Sequence, residues 1–197
     1  MSDRGMTDPE LDPASGGGLP WHERRAGDLA LRLYASFASP AAILRAFRRD
    51  ALQARTLALG LTEAEGRRQV RIARFPGIEA SSRDWSVYMT LDHLVMVNTA
   101  ITALIHAICS DHNHGAEIGM EDVRPHVDAG PDRIQALEAA VERYSDMILR
   151  LGALRSRERH PHPWFGPLTA RQWHAVAAIH NRTHRAQIEK ILRRLKS

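Results

Sequence analysis

The chain has 197 residues, which is enough for one well-filled core and too few for two domains of ordinary size. Hydrophobic residues make up 44% of it and charged residues 25%, proportions that exclude disorder of the whole chain. Its single cysteine, Cys109, excludes an internal disulfide framework and lies in an apolar stretch that predicts a buried thiol.

The formal net charge of +4 raises the question of a nucleic-acid partner. The basic residues are scattered, however, and no aromatic residues are interleaved with them. The densest group ends the last predicted helix, where cations stabilise the helix dipole whatever the function; it comprises Lys190, Arg193, Arg194 and Lys196. We therefore expect no nucleic-acid partner.

Residues 1–22 are predicted to form a flexible tail, because they contain two Asp-Pro pairs, three consecutive glycines and little to bury. They include no apolar run of the kind found in signal peptides. The most apolar segment of the chain, residues 94–109, is interrupted by polar side chains and is too short to span a bilayer. We expect a cytoplasmic protein without membrane association.

Apolar residues recur at helical spacing through most of the remaining chain. The first helix is predicted from the spacing of Leu29, Leu33 and Phe37. The predicted long helices span about residues 24–38, 40–59, 86–110, 131–151 and 169–195.

Capping residues support these boundaries. Ser39 and Ser86 are predicted N-caps. Pro40 and Pro131 are predicted to occupy the first helical position of their helices. Capping boxes are predicted at Thr62 with Glu65, for a short helix, and at Thr169 with Gln172. Residues 75–77 predict a turn, and residues 111–130 a loop.

No segment shows the sustained alternation of apolar and polar residues that indicates a strand. The predicted fold is therefore all-α. It is a four-helix bundle preceded by an extra N-terminal helix, in a single domain over residues 23–197.

His180 and His184 stand four residues apart on the last predicted helix, which places both rings on one face. The stripe they share is otherwise apolar and comprises Trp173, Val176, Ala177, Ile188, Ile191 and Leu195. Inward-facing imidazoles need partners for their ring nitrogens, and a shared metal ion is one such partner. Two separate core histidines, bonded to backbone or water, are the alternative, and the pattern favours neither.

His93 lies in the first turns of the central helix, on a face continued by apolar residues, so it also points inward. Neighbouring helices of a bundle would let it face His180 and His184, giving three nitrogen ligands and an open coordination position. Taken alone, such a histidine is more often a core residue with ordinary hydrogen bonds.

The other paired histidines, His112 with His114 and His160 with His162, are interpreted as solvent-exposed or turn-forming. Asn181 follows His180 where an H-E-x-x-H metalloprotease carries its glutamate, so that mechanism is not supported.

Two segments carry a family resemblance. One is Asp84-Trp85-Ser86 followed by Leu91-Asp92-His93-Leu94; the other is His162-Pro163-Trp164-Phe165-Gly166-Pro167-Leu168-Thr169, followed by His180, His184 and Gln187. They resemble the Trp-Ser helix start, the HPxFGPLT connector and the H-x-x-x-H-x-x-Q helix of the DinB-like superfamily, bacterial four-helix bundles with a three-histidine metal site. The resemblance covers residues 40–197.

This resemblance implies that His93, His180 and His184 bind a divalent ion, zinc or nickel above all, and that the protein is a homodimer. Some related proteins are transferases or isomerases that use a low-molecular-weight thiol, which makes such a thiol a second expected cofactor. The family name does not imply DNA binding.

Three functions follow from these observations. The first is a metal-dependent enzyme in which the ion activates water or a thiolate; the absence of an obvious carboxylate base on the ligand helices favours the thiolate, and the resemblance implies an S-transferase or isomerase type. The second is a non-enzymatic, metal-stabilised or stress-related bundle, and the third, ranked last, is a nucleic-acid-binding protein. Asp92 and Gln187 are candidates to support the ligands, with a solvated surface position favoured for Asp92.

Overall fold

The computed structural model describes residues 19–110, 123–156 and 158–196. These residues are mostly helical. The elements are α1 (Trp21–Phe37), α2 (Pro40–Ala58), α3 (Glu63–Arg67), α4 (Val87–Cys109), α5 (Asp132–Leu151), β1 (His160–His162), β2 (Gly166–Leu168) and α6 (Ala170–Leu195), with a 3₁₀ turn at Ala80–Ser82 before α4.

The helix starts predicted for α2, α3, α4 and α6 are confirmed by their caps. The Ser39 and Ser86 hydroxyls accept hydrogen bonds from the third backbone N–H beyond each of them, both at 3.2 Å. Both predicted capping boxes, at Thr62 and at Thr169, are present. Pro131 differs by one position, because it is the N-cap of α5 and not its first helical residue.

Helix α1 is confirmed, but the apolar stripe that predicted it does not pack. Leu29, Leu33 and Phe37 are exposed, whereas Leu31 and Ala35 are buried in the core. Spacing of three or four residues reports a helix; which face packs depends on the neighbouring elements. The helix begins at Trp21, and Leu19, assigned to the tail by the sequence, is buried. Residues 1–18 of the predicted tail lie outside the described residues.

Helices α2, α4, α5 and α6 supply most of the core, to which Leu31 and Ala35 of α1 are added. Helix α2 contacts α5 and α6, and α4 also contacts both. Helix α6 is buried on two sides, including the side opposite its predicted stripe. There the His174 ring lies between α2 and α5, with Nε2 donating to the Pro40 carbonyl at 3.0 Å and Nδ1 accepting from the Tyr144 hydroxyl at 2.6 Å.

Helix α4 is apolar on nearly all sides, and its length and composition alone would suffice to cross a membrane. Half of its most apolar window is buried within the structure, as in the core helices of many proteins, which pass the same test. Cys109, at its last turn, is partly buried and not fully buried as predicted.

Strands β1 and β2 were missed by the sequence analysis. They pair antiparallel, with His160 opposite Leu168 and His162 opposite Gly166. Strands of three residues are too short to show alternation, and Gly166 allows the tight turn with a φ of +66°. Of the two roles predicted for His160, solvent-exposed or turn-forming, the first is wrong, because the residue is buried; its carbonyl accepts from Trp173 Nε1 at 3.3 Å.

Helix α3 packs closely against α4 through Gly66. Tyr88 is 1% exposed, and its ring lies against the Gly66 backbone so closely that a β-carbon at residue 66 would overlap it. Gly60 lies in the turn between α2 and α3, and a β-carbon at residue 60 would have open space around it.

We predict that Gly66→Ala lowers the free energy of unfolding by about 1–3 kcal/mol, because the added methyl group displaces a buried ring. Gly60→Ala should change it by less than about 0.5 kcal/mol. Urea unfolding followed by circular dichroism measures both. Equal stability of the two variants would contradict the close packing of α3 on Tyr88.

Candidate metal centre

His93, His180 and His184 come together between α4 and α6, as the sequence predicts, and we call them the histidine cluster. One ring nitrogen of each lies within 4.8 Å of the others. The Nε2 atoms of His93 and His180 are 3.0 Å apart, and the rings of His180 and His184 have centroids 4.4 Å apart.

The proton on His93 is placed by its backbone partner. Its Nδ1 lies 2.6 Å from the carbonyl oxygen of Val123, which can only accept a hydrogen bond. Nδ1 therefore carries the proton. In the neutral ring Nε2 then presents a lone pair toward His180 and His184.

Gln187 places the proton on His184 in the same way. Its amide nitrogen donates to the carbonyl of Ser82 at 2.7 Å, which turns the amide oxygen toward His184 Nδ1, also at 2.7 Å. His184 Nδ1 is therefore the donor, and its Nε2 lone pair is free for the centre. Gln187 is fully buried, so neither bond is exchanged with solvent.

His180 is the member with an unmatched nitrogen. Its Nδ1 is buried and has no hydrogen-bond partner among the described residues. The only polar neighbour of His180 within bonding distance there is His93 Nε2, so without an ion His180 Nε2 would donate to that lone pair and Nδ1 would remain an unpartnered acceptor. The 3.0 Å between the two Nε2 atoms also fits an ion shared by the cluster, because two imidazole nitrogens bound to one ion at about 2.0–2.1 Å lie roughly 3 Å apart.

Burial keeps the cluster neutral. It lowers the pKa of His93 to about 4 and that of His184 to about 3, with the charge of the neighbouring histidine as a smaller cause for His184. Burial likewise lowers the pKa of His180 well below its usual value. The ring of Trp85 covers the cluster, stacked on His184 with centroids 6.0 Å apart. At neutral pH all three rings are in the form that binds metals.

Asp92 is buried, at 1% exposure, and not on the solvated surface as predicted. Its carboxylate accepts from the His126 backbone at 2.9 Å, from His126 Nδ1 at 2.8 Å and from Arg133 at 3.3 Å. These bonds fasten the segment after Val123 to α4, so Asp92 helps to position the carbonyl that orients His93. The sequence could not show this, because His126 and Arg133 are distant in the chain.

The cluster opens into a cavity of about 470 Å³ between α1, α4, α6 and the β1–β2 turn. His162 lines this cavity, and its Nδ1 accepts from the Trp164 backbone N–H, so of the two predicted roles it is turn-forming and not solvent-exposed; burial lowers its pKa to about 4. His112 and His114 lie outside the described residues.

Comparisons of the chain with protein-family models, curated proteins and solved structures give no match. The site is therefore interpreted from its own geometry. The resemblance to the DinB-like superfamily stays a prediction.

Buried neutral histidines predict that the metal-free protein loses stability in mild acid. Burial lowers the pKa of His174 to about 4, whereas histidine in an unfolded chain titrates near about 6.5. Between these values the unfolded chain binds more protons, so the free energy of unfolding falls as the pH drops below about 6.5.

His174→Gln should reduce this slope between pH 6 and 5 by up to about 1.4 kcal/mol per pH unit. Urea unfolding of the metal-free protein at several pH values measures it. His106→Gln is the control, since His106 is exposed on α4. A His174 variant with the slope of the unaltered protein would be inconsistent with a neutral, buried ring.

Proposed function

We propose that the chain is a four-helix bundle that binds one divalent ion, zinc or nickel, through His93, His180 and His184, and acts as a metal-dependent enzyme on a molecule bound in the adjoining cavity. The observation that carries the proposal is the convergence of His180 with the fixed Nε2 lone pairs of His93 and His184, one ring nitrogen of each residue lying within 4.8 Å of the others. Separate core histidines would each bond to backbone or water, and their lone pairs would have no reason to point at one another.

The bundle is supported by the mutual contacts of α2, α4, α5 and α6. In such bundles, sites are built from side chains on facing helices. Here α4 supplies one ligand and α6 supplies two, which agrees with that arrangement. Helix α1 and the β1–β2 turn lie outside the four helices and contribute walls to the cavity.

An enzyme is favoured over a structural metal site because the cluster faces a cavity. Structural sites are closed by four protein ligands, whereas catalytic sites keep a position open. Three histidines with 470 Å³ of space beside them match the second kind. When bound, the ion would act as a Lewis acid that activates either water or a thiolate.

The chain's own residues have separate tasks in this proposal. The cluster holds the ion, Gln187 and the Val123 carbonyl orient two of its rings, and Trp85 excludes water from one side. A thiol cofactor, a homodimer and a cytoplasmic location stay predictions.

The test is metal content. The full chain, purified without a His-tag and dialysed against zinc or nickel, should retain about one ion per chain and unfold at a higher temperature than the metal-free form, because the ion binds the folded state. His93→Ala, His180→Ala and His184→Ala should each lose the retained ion and the stabilisation.

His106→Ala is the matched control, because it removes an exposed histidine from α4. It should leave metal content and stabilisation unchanged. Stoichiometric metal in the His180→Ala variant would count against the proposed site.

A further inference from the structure

The cavity beside the cluster has predominantly apolar walls. α4 contributes Val97, Ala100 and Ile101, α6 contributes Val176 and Ile179, and the β1–β2 turn contributes Phe165. Its volume of about 470 Å³ lies within the range of small-molecule sites. A ligand that fills it therefore exchanges water for hydrocarbon over most of its surface.

Apart from the neutral histidines, the ionisable side chains in the described part of the lining are the two carboxyl groups of Glu23 and Glu79. Glu23 is already paired with Arg74 through two bonds of 2.7 and 2.8 Å, and it accepts from the Gly77 backbone. Glu79 has no cationic partner among the described residues, and burial raises its pKa. No lysine or arginine occurs among the described lining residues. A ligand with an anionic end would therefore be desolvated in this cavity without a compensating positive charge.

His162 is a hydrogen-bond donor placed in this apolar wall. Its Nδ1 accepts from the Trp164 backbone N–H at 3.1 Å, so the proton of the neutral ring is on Nε2. The ring is held between Phe165 and Trp173, with centroids 4.6 and 5.0 Å away. Nε2 has no protein partner among the described residues, and the ring is close enough to His180 to affect its pKa.

We propose that the cavity binds a small molecule with a neutral, apolar body and an oxygen-bearing head, the head reaching the ion at the histidine cluster and accepting a hydrogen bond from His162 Nε2. This inference rests on the proposed function, because the cluster must hold an ion. It adds the class of ligand and a binding residue outside the cluster.

Hydroxamates of different length are suitable probes, because the same metal-binding head can carry different bodies. We expect octanohydroxamate to bind the zinc- or nickel-loaded chain at least about tenfold more tightly than acetohydroxamate, since each buried methylene is worth a factor of about four before ordering costs. The monohydroxamate of suberic acid, of equal length but ending in a carboxylate, should lose most of this gain.

Two variants, each with a control, test where the apolar body and the head of the ligand bind. Ala100→Leu fills part of the cavity and should weaken octanohydroxamate severalfold but not acetohydroxamate, whereas Ala103→Leu, exposed on the same helix, should change neither. His162→Phe keeps an aromatic ring but removes the Nε2 donor, together with the acceptor of the Trp164 N–H, and should weaken both probes about tenfold without changing metal content. His106→Phe is its control.

Calorimetric titration of chains with measured metal content separates the possible failures. Absence of bound metal overturns the proposed function and this inference with it. Bound metal with less than a tenfold preference for octanohydroxamate, or with tight binding of the suberic probe, overturns the apolar ligand alone. A His162→Phe variant weakened less than threefold overturns the role of His162.

Discussion

The candidate site depends on two short hydrogen bonds that hold protons away from its centre. The Val123 carbonyl and the Gln187 amide oxygen occupy Nδ1 of His93 and His184, so that both Nε2 lone pairs point inward. Burial adds to this by keeping the rings neutral. Such partners on the outer nitrogen typically orient and strengthen metal-binding histidines.

Contacts elsewhere in the structure hold the partners of these two hydrogen bonds in place. Gln187 is oriented by the Ser82 carbonyl in the short 3₁₀ turn before α4, and the Val123 segment is fastened to α4 through Asp92. The packing of α4 against α6 sets the distance between His93 and the other two rings. The site is thus built from side chains on packed helices, with backbone carbonyls from two connecting segments.

The helices and the three histidines could be predicted because both produce patterns between residues that are close together in the sequence. Caps such as Ser86 and Thr169 fix helix starts within one or two residues, and spacing of four places His180 beside His184. Other features depend on partners far away in the chain. The exposure of Leu29 and Leu33, the burial of Asp92 and His174, and the position of His162 in the cavity wall are all set by tertiary packing. The β1–β2 pair left no mark because its strands are too short to alternate.

X-ray absorption spectroscopy of the zinc- or nickel-loaded full chain tests the central claim most directly, because it reports the ligands of the ion itself. The account predicts three imidazole nitrogens at about 2.0–2.1 Å, with any further ligand being oxygen from solvent or buffer. A spectrum with fewer than three imidazoles, or with a protein sulfur ligand, would contradict it.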